Sequence, residues 1–470
     1  MRWRPDIPNA PLPTPPRSNA CGLSPYARLS RLMARKPMCL ARPRESPFDV
    51  ESISRKPYAG FVPRGNGRAY GDAAIGRQSC LCMRGLDRFC SFDEASGRVT
   101  IESGVLLADI ITAFLPRGFF PPVVPGTRLA TVGGAIAADV HGKNHHIAGS
   151  FGEHLESFVL ALPGGEAVNC SRQDHPNLFE ATIGGMGLTG TILQATFRLM
   201  RVETGWIKQN TIVAPNLAAA LKILSQYDEA PYSAAWVDCL ANGEVLGRSL
   251  IYLGDHASRT DLEELAPHAA PLPPQRSSRL AVPMDLPHFT LNRWSVAAFN
   301  EVYFRKGAAA AGKTFLNAID PFFFPLDGIV DWNKIYGRRG FLQHQSVVPS
   351  AHAYDTYGEI LARVARRGSA SFLAVLKKFG LSSRGLMSFP APGFTLALDI
   401  PLENGIFNFL DEIDTLVASA GGRIYLAKDA CQSRATFEAG YPNLRSFREI
   451  RRQIGAQDRI MSRLSDRLGI

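Results

Sequence analysis

Four basic side chains lie within six residues at the end of one glycine-rich stretch. The stretch reads PGTRLATVGGAIAADVHGKNHH over residues 125–146, and its last six residues include His141, Lys143, His145 and His146. Gly133 and Gly134 have no Cβ, so the backbone there can closely approach a phosphate or a flat ring. An apolar run separates this pair from the basic cluster. The pattern indicates a large cofactor against bare backbone with chemistry at one end; the alternative is a glycine-rich loop before a solvated turn.

The three histidines raise a second alternative, a metal site. His141 and His145 are four residues apart, which on a helix would place both imidazoles on one face. Gly142 lies between them and disfavours a helix interior, and no Cys or carboxylate lies between His141 and His146. The spacing is a weak zinc signature, so we predict no metal.

Two further glycine-rich elements precede and follow this stretch. The first, RGNGRAYGD over residues 64–72, can wrap a pyrophosphate through its backbone amides, and its two arginines add positive charge. The second contains Gly185, Gly187 and Gly190 in the spacing GxGxxG, which opens a helix in a Rossmann unit. Residues 191–199 instead alternate β-branched and apolar side chains, which predicts a strand and argues against a Rossmann fold.

The net charge of +10 is concentrated at the start of the 470-residue chain. Residues 1–44 carry nine Lys or Arg and one acid, together with six prolines by Pro16. This composition predicts a disordered basic tail over residues 1–45 that touches an anionic membrane surface, or else a merely solvated leader. The rest of the chain is nearly neutral, and we predict no nucleic-acid partner.

The sequence shows no sign of a membrane span or of export. No apolar run approaches the roughly 18 residues that a transmembrane helix needs, and residues 1–44 lack the apolar core of a signal peptide. The eight cysteines show no CxxC spacing. We therefore expect reduced thiols in a cytoplasmic protein, at most peripheral at the inner face of the membrane.

Hydrophobic periodicity predicts an α+β protein. Strands are predicted at 99–104, 250–253, 341–348, 371–379 and 393–400, and helices at 106–115, 216–226, 352–367 and 407–420. Their order in the second half indicates an antiparallel sheet with helices on one face. Gln343 and Gln345 would point to the same side of their strand. Lys377 and Asp399 interrupt apolar strands, so each either faces a cavity or marks a strand end.

The glycine elements, in this order, resemble the flavin-binding half of the vanillyl-alcohol-oxidase/p-cresol-methylhydroxylase (PCMH-type) family. The likeness runs from about residue 60 to the C-terminus. Later motifs extend it to a subfamily that acts on polyprenylphosphoryl sugars. The residues that carry it are RGNGRAYGD (64–72), PGTRLATVGGAIAADVHGKNHHIAGSFG (125–152), GGMGLTG (184–190), PLDGIVDWNKIYGRRGFLQHQSVVP (325–349), SFPAPGF (388–394) and GGRIYLAKDA (421–430).

The resemblance implies a two-domain fold that binds FAD. A PCMH-type FAD domain would span residues 46–202, a substrate domain with an antiparallel sheet 203–422, and a return to the FAD domain 423–470. Covalent relatives use a His in the first glycine loop, and residues 63–73 contain none, so the FAD would be non-covalent. Its contacts would be Arg64, Gly65, Asn66, Gly67, Arg68, Ala69, Tyr70, Gly71, Asp72, Gly126, Thr131, Val132, Gly133, Gly134, Ala138, Asp139, Val140, His141, Ile192 and Tyr425.

The resemblance also implies the reaction: oxidation of the C2′ hydroxyl of a polyprenylphosphoryl-β-D-ribose to the 2′-keto form. A separate NAD(P)H-dependent short-chain reductase would complete epimerisation to the arabinose form. Removing a hydride from a secondary alcohol requires a base for the hydroxyl proton, and Lys428 and His141 are the titratable groups that the resemblance brings to the flavin. The substrate would meet Lys143, Trp236, Gln343, Gln345, Lys377, Thr395 and Ala397.

Two departures from the family pattern bear on the substrate. The family has Asn and Cys where this chain has Thr395 and Ala397, so the fit of a particular sugar or lipid is less constrained than the chemistry. Two other classes stay open at this point. One is an FAD-dependent oxidase of a free sugar, alditol or aldonolactone, and the other is a non-catalytic flavin or sugar-phosphate binding protein.

Overall fold

The computed structural model describes residues 38–39, 60–273, 280–287, 289–368 and 372–470. Apart from residues 38–39, the predicted tail over residues 1–45 lies outside the described residues. The strands are β1 Met38–Cys39, β2 Phe61–Arg64, β3 Ser79–Cys82, β4 Phe89–Asp93, β5 Arg98–Glu102, β6 Phe119–Phe120, β7 Leu155–Ala161, β8 Ala167–Ser171, β9 Thr191–Arg198, β10 Met200–Arg201, β11 Trp206–Ala214, β12 Tyr232–Val237, β13 Ser249–His256, β14 Leu280–Ala281, β15 Phe315–Ala318, β16 Ile329–Val330, β17 Phe341–Val348, β18 Ala374–Phe379, β19 Gly393–Pro401 and β20 Arg423–Ile424.

Helices alternate with these strands along the chain. They are α1 Leu107–Phe114, α2 Val132–Ala137, α3 His145–Ala148, α4 Pro176–Thr182, α5 Leu217–Gln226, α6 Arg259–Leu265, α7 Arg293–Ala309, α8 Ile319–Phe323, α9 Ser350–Arg367, α10 Ile406–Ser419, α11 Arg434–Gly440, α12 Leu444–Gln453 and α13 Arg463–Leu468. The predicted elements are present with shifts of a few residues at their ends, and the helices that were not predicted are α2, α3, α4, α6, α7, α8, α11, α12 and α13.

One antiparallel sheet of eight strands has the order β15-β11-β13-β12-β18-β19-β17-β20. Because side chains alternate along a strand, its two faces differ. Leu342 of β17 packs into a core with α5, α9 and α10, whereas Gln343 and Gln345 line a cavity on the other face. Helix α7 packs on the cavity side, where Gly307 lies against Leu250. The predicted antiparallel sheet is confirmed, but the prediction of helices on one face is wrong, because α7 covers the face opposite to α5, α9 and α10.

A second antiparallel sheet, in the order β4-β5-β9-β7-β8, lies in the part of the chain that carries the glycine-rich elements. Its core includes side chains from α1, α2 and α4. Strand β9 begins directly after the GGMGLTG motif. The prediction of a strand at this point, rather than the helix of a Rossmann unit, is confirmed.

Two glycines of the loop 64–72 are required by close approaches of the chain. A Cβ on Gly71 would lie 1.6 Å from the carbonyl oxygen of Asp429, so only a glycine lets the C-terminal segment pass there. Gly67 has φ of +63°, a conformation that L side chains rarely adopt, and its missing Cβ leaves room for the guanidinium of Arg64. These glycines fold the loop against its neighbours.

Two observations bear on the expected cellular setting. Cys82 forms a disulfide bond, so the prediction that all eight cysteines are reduced is wrong at this residue. Among the helices that the structure describes, none combines the length and the apolar character needed to cross a bilayer.

Arg467, in the last helix, joins two distant segments of the chain. Its guanidinium donates to the carboxylate of Asp72 at 2.8 and 3.0 Å, to that of Asp429 at 3.0 Å and to the carbonyl of Gln432 at 2.7 Å. Asp72 ends the first glycine loop, and Asp429 follows the predicted catalytic Lys428. One guanidinium therefore holds both segments in place. Because the three charged groups are poorly hydrated, the stability of each charge depends on the ion pairs with the others.

We expect Arg467→Ala to lower the free energy of unfolding by about 3–5 kcal/mol, because two buried carboxylates lose their counter-charge. Urea denaturation followed by tryptophan fluorescence measures this. The matched control is Arg452→Ala, whose side chain is 61% exposed and pairs only across the surface with Glu449, so its effect should be small. Equal effects of the two variants would contradict the structural role given to Arg467.

Candidate active site

A cavity of about 380 Å³ opens between the glycine-rich elements and the large sheet. The sheet contributes side chains from β12, β17, β18 and β19, and residues 425–428 contribute the segment that follows β20. Fifteen residues predicted to contact FAD line it: Gly65, Asn66, Gly67, Arg68, Ala69, Tyr70, Gly126, Thr131, Gly133, Gly134, Ala138, Val140, His141, Ile192 and Tyr425. The structure thus brings most of the predicted set to one place.

Five residues of the predicted FAD set are not among the lining residues. Arg64 donates to the carbonyl of Ala74 at 2.9 Å, and Gly71 and Asp72 pack against the C-terminal segment as described above. Val132 is fully buried in the core beneath the second sheet, and the carboxylate of Asp139 accepts from the amide of Gly152 at 2.9 Å. These residues shape the loops that face the cavity.

The loop 64–72 offers backbone donors to this cavity. Within the described residues, the N–H groups of Asn66, Gly67 and Ala69 have no hydrogen-bond acceptor, and all three residues line the cavity. Successive unpaired N–H groups form a nest that suits the pyrophosphate of a dinucleotide. This part of the site therefore fits FAD.

The glycine pair of the second element meets the cavity differently. The amide of Val132 donates to Val105, that of Gly133 to Ser103 at 2.8 Å, and that of Gly134 to the Thr131 side chain at 3.1 Å. These amides are already paired, so the expectation that they could bind a phosphate is wrong. What faces the cavity is glycine Cα without side chain, which leaves room for a flat ring.

His141 reaches the cavity through a strained turn. Asp139 has φ of +40°, which is uncommon for a residue with a Cβ, and its buried carboxylate accepts from Gly152. Burial raises the pKa of Asp139 above its ordinary value. The turn ends α2 and directs the following residues toward the large sheet.

The imidazole of His141 is buried and neutral at neutral pH. Burial lowers its pKa well below 6.5, and the nearby cations of Lys377 and Lys428 lower it further. Its Nε2 lies 2.9 Å from the amide nitrogen of Gln345. Because that amide nitrogen is a donor, Nε2 accepts and the ring proton lies on Nδ1.

The neighbouring histidines do not converge with His141 on one point. Nδ1 of His145 accepts from the amide of Gly380 at 3.2 Å, and Nε2 of His146 lies 2.8 Å from the carbonyl of Ala230. The rings of His141 and His145 have centroids 6.4 Å apart and are nearly perpendicular. The three imidazoles thus serve three different contacts.

Lys428 lines the cavity, and the fully buried carboxylate of Asp399, which is not a lining residue, acts on it electrostatically. The ammonium of Lys428 lies 3.7 Å from the ring centroid of Tyr70. Burial lowers the pKa of Lys428 to about 7, and the negative charge of Asp399 opposes that change. Burial likewise raises the pKa of Asp399 to about 7. The amide of Gln343, which donates to the carboxylate, and the charge of Lys428 both act in the opposite direction and lower that pKa. Burial therefore disfavours the charged form of both groups.

Two further lysines, both partly buried, line the same cavity. Lys143 donates to the carbonyl of Phe322 at 2.6 Å, and burial lowers its pKa to about 8. Lys377 lies 3.4 Å from the carbonyl of Gly142, and burial together with the charges of Lys143 and Lys428 lowers its pKa to about 7. Because the three amines are poorly hydrated, the site favours binding of an anion.

The remaining predicted substrate residues are spread over the sheet. Trp236 on β12, Gln343 and Gln345 on β17 and Ala397 on β19 line the cavity. Thr395 is fully buried and is not a lining residue; its hydroxyl donates to the carbonyl of Ser346 and accepts from Gln345 at 3.1 Å. Thr395 thus orients Gln345, which itself holds His141.

Sequence reasoning missed several groups at this site. Tyr252 and Tyr303 line the cavity with their hydroxyl oxygens 2.9 Å apart, and Asp327 accepts from the side chain of Thr127 and the amide of Arg128. Asp399 was noticed only as a break in an apolar strand. Its pairing with Gln343 follows from the register of β17 and β19, which periodicity does not give.

The chain matches one family model and is similar in sequence to known proteins. A family model described as "FAD binding domain" matches residues 49–171. Over 413 residues, the chain is 37% identical to decaprenylphosphoryl-β-D-ribose oxidase of Mycolicibacterium smegmatis, covering 87% of this chain and 89% of that relative. It is also 37% identical to an uncharacterized protein of Streptomyces coelicolor, over 77% of this chain and 99% of the relative.

A more distant relative matches only part of the chain. A putative D-arabinono-1,4-lactone oxidase of Neurospora crassa is 27% identical over 32% of this chain and 27% of its own length. The match to the mycolicibacterial oxidase, by contrast, spans the glycine-rich elements and the large sheet. The chain belongs to the family of FAD-linked oxidases that includes this relative, and it is an FAD-dependent oxidoreductase with an α+β fold.

Proposed function

We propose that the chain oxidises the C2′ hydroxyl of a polyprenylphosphoryl-β-D-ribose to the 2′-keto lipid. The observation that carries the proposal is the group of three partly buried lysines, Lys143, Lys377 and Lys428, which line one cavity with His141, Gln343 and Gln345. Such a site suits a sugar with an attached phosphate better than a neutral polyol. The mycolicibacterial relative is named as an oxidase of the same substrate class, which supports the proposal.

FAD would be held without a covalent bond by the residues that line the cavity. The unpaired amides of Asn66, Gly67 and Ala69 suit its pyrophosphate, and the bare backbone at Gly133 and Gly134 suits its ring system. When bound, FAD supplies the two-electron acceptor for oxidation of an alcohol. The chain's own residues then have to orient the alcohol, exclude water and accept its proton.

Lys428 is the group that we assign to accept the hydroxyl proton. Because burial lowers its pKa to about 7, a large fraction of the amine is uncharged at neutral pH. An uncharged amine has the lone pair that a base requires. The carboxylate of Asp399 then stabilises the ammonium that forms.

His141 is less suited to that role and more to orientation. Its Nε2 already accepts from Gln345, and its Nδ1 carries the proton. A neutral imidazole of this tautomer donates a hydrogen bond at Nδ1 rather than accepting one. We assign His141 to holding the substrate or cofactor in place, with Gln345 and Thr395 fixing its ring.

Lys143 and Lys377 would bind the phosphate. Both ammonium groups are tethered to backbone carbonyls, so their positions are set before an anion enters. An anion between them would raise their lowered pKa values by supplying the missing counter-charge. Ala397 leaves space in the wall beside this position, and Trp236 supplies an apolar surface.

The wider organisation belongs to the same proposal. Residues 46–202 would form the FAD domain, 203–422 the substrate domain and 423–470 the return to the FAD domain. A keto lipid has to be reduced to complete inversion, so a separate NAD(P)H-dependent short-chain reductase would consume the product. A lipid substrate also implies contact with a membrane surface, to which the basic residues 1–44 would contribute.

The first prediction concerns how FAD is held. Acid precipitation of the purified protein should release all yellow colour into the supernatant, because residues 63–73 contain no histidine for a covalent link. The absorbance of pellet and supernatant measures this. Colour that stays with the denatured pellet would show a covalent bond.

The second prediction concerns Lys428. Lys428→Ala should keep FAD but lose about 10²–10⁴-fold in the rate of flavin bleaching by polyprenylphosphoryl ribose, the range expected for a positioned base. Anaerobic stopped-flow absorbance measures the rate. The matched control is Lys222→Ala, at an exposed position of α5, which should bleach like the unmodified protein.

Three outcomes would contradict these assignments separately. Bleaching of Lys428→Ala at the unmodified rate would remove Lys428 from the role of base. Bleaching of the unmodified protein by free alditols and not by the phospholipid sugar would favour a free-polyol oxidase. A protein bleached by neither would be a flavin-binding protein without this activity.

The third prediction concerns pH. With Lys428 as base, kcat/KM should fall as the pH drops through about 7, where its amine becomes protonated. Asp399 raises the pKa of Lys428, so Asp399→Asn should move the midpoint of this fall to lower pH. Asp228→Asn, at a half-exposed carboxylate that pairs with Lys378, is the control and should leave the midpoint unchanged. A midpoint that is unchanged or higher in Asp399→Asn would contradict the proposed effect of Asp399 on the pKa of Lys428.

A further inference from the structure

Helix α7 presents apolar side chains to solvent. Trp294 is 81% exposed, Val302 68% and Phe299 46%. Trp294, Ala298 and Val302 are four residues apart and Phe299 lies beside them, so they share one side of the helix. We call this side, residues 294, 298, 299 and 302, the outer stripe. A stripe of this kind on the surface points to something apolar that covers it.

The outer stripe is continuous with the cavity wall. Phe299 stacks on Tyr303 with ring centroids 5.8 Å apart, and Tyr303 meets Trp236 at 4.8 Å. Both Tyr303 and Trp236 line the cavity, and Tyr303 is itself 37% exposed. Phe372 packs against Phe299 at 5.5 Å and widens the apolar surface. An apolar path thus leads from the cavity to the outside of α7.

The cavity and the substrate differ in size. About 380 Å³ is typical of a site for a drug-sized ligand, and the flavin ring would take part of this volume, so a long polyprenyl chain does not fit inside beside the cofactor. The lysines hold the charged part of the substrate inside, so the chain has to leave through the mouth of the cavity. Tyr303 lies at an exposed part of that wall, next to the outer stripe.

We propose that the outer stripe of α7 binds the polyprenyl chain of the lipid-linked substrate, while the phosphosugar occupies the cavity. The inference rests on the proposed function and adds the place where the lipid lies. Covering exposed apolar area contributes binding free energy in proportion to that area. Catalytic efficiency should therefore rise with chain length until the stripe is covered.

The test compares two substrates on one double variant, Trp294→Ser with Val302→Ser. Both side chains are largely exposed, so folding should be little affected; FAD content and thermal unfolding check this. In one detergent, kcat/KM for a long-chain polyprenylphosphoryl ribose should fall about ten-fold or more, while that for a geranylphosphoryl ribose stays unchanged. The control is Val245→Ser with Leu381→Ser, two exposed apolar side chains elsewhere, which should change neither.

Several results would overturn the proposal. An equal fall for both lipids, or no fall for either, would mean that the stripe does not bind the chain. Loss of binding to phosphatidylcholine vesicles with unchanged chain-length dependence would assign the stripe to the bilayer. A change from dimer to monomer with unchanged kinetics would assign it to a second copy of the chain.

A binding experiment separates this proposal from the proposed function. Titration of the holoenzyme with long-chain polyprenyl phosphate, which has no sugar to oxidise, should give weaker binding for the double variant than for the control. Binding of geranyl phosphate should be alike in the two. Unmodified protein that oxidises neither lipid would contradict the proposed function, and these titrations would still decide where the chain binds. Equal affinities of the two variants for the long chain would overturn the proposal.

Discussion

The rest of the site depends on one physical constraint, which is that three lysine amines have lost part of their hydration. Lys143, Lys377 and Lys428 lie on the cavity side of an eight-stranded sheet, where burial lowers the pKa of each. The sheet makes this arrangement by alternation: one face is closed by α5, α9 and α10, and the other carries polar side chains inward. Each amine lies over an aromatic ring, that of Phe322, Phe379 or Tyr70, and Asp399 supplies negative charge for Lys428. The fold thus holds three lysines in one cavity, where a bound anion would supply counter-charge.

Much of the fold could be predicted because it depends on local signals. Hydrophobic alternation gave the strand 341–348 with its bounds unchanged, and a β-branched run after the third glycine motif excluded a Rossmann helix. The glycine-rich elements pointed to a cofactor because only glycine permits such close approaches. Because His141 follows Gly133 by only a few residues, the sequence also indicated that the titratable cluster lies close to the glycine pair.

What could not be predicted depends on pairings across long sequence distances. Asp399 meets Gln343 through strand register, and a shift of one residue would turn both side chains away. The paired amides of Val132 and Gly133 could not be predicted from glycine content, because their acceptors lie in the separate segment 103–105. Helix α7 was missed because its apolar side chains face outward, so its pattern does not resemble that of an ordinary surface helix.

The contacts of Arg467 have a consequence for biosynthesis. Asp72 precedes Arg467 by 395 positions, so the first glycine loop lacks its counter-charge until translation has passed Arg467. At about 5–20 residues per second, that loop waits tens of seconds after its own translation. The ion pairs that hold this loop therefore form late in synthesis, and the N-terminal half of the chain does not by itself contain the groups that fix the loop in place.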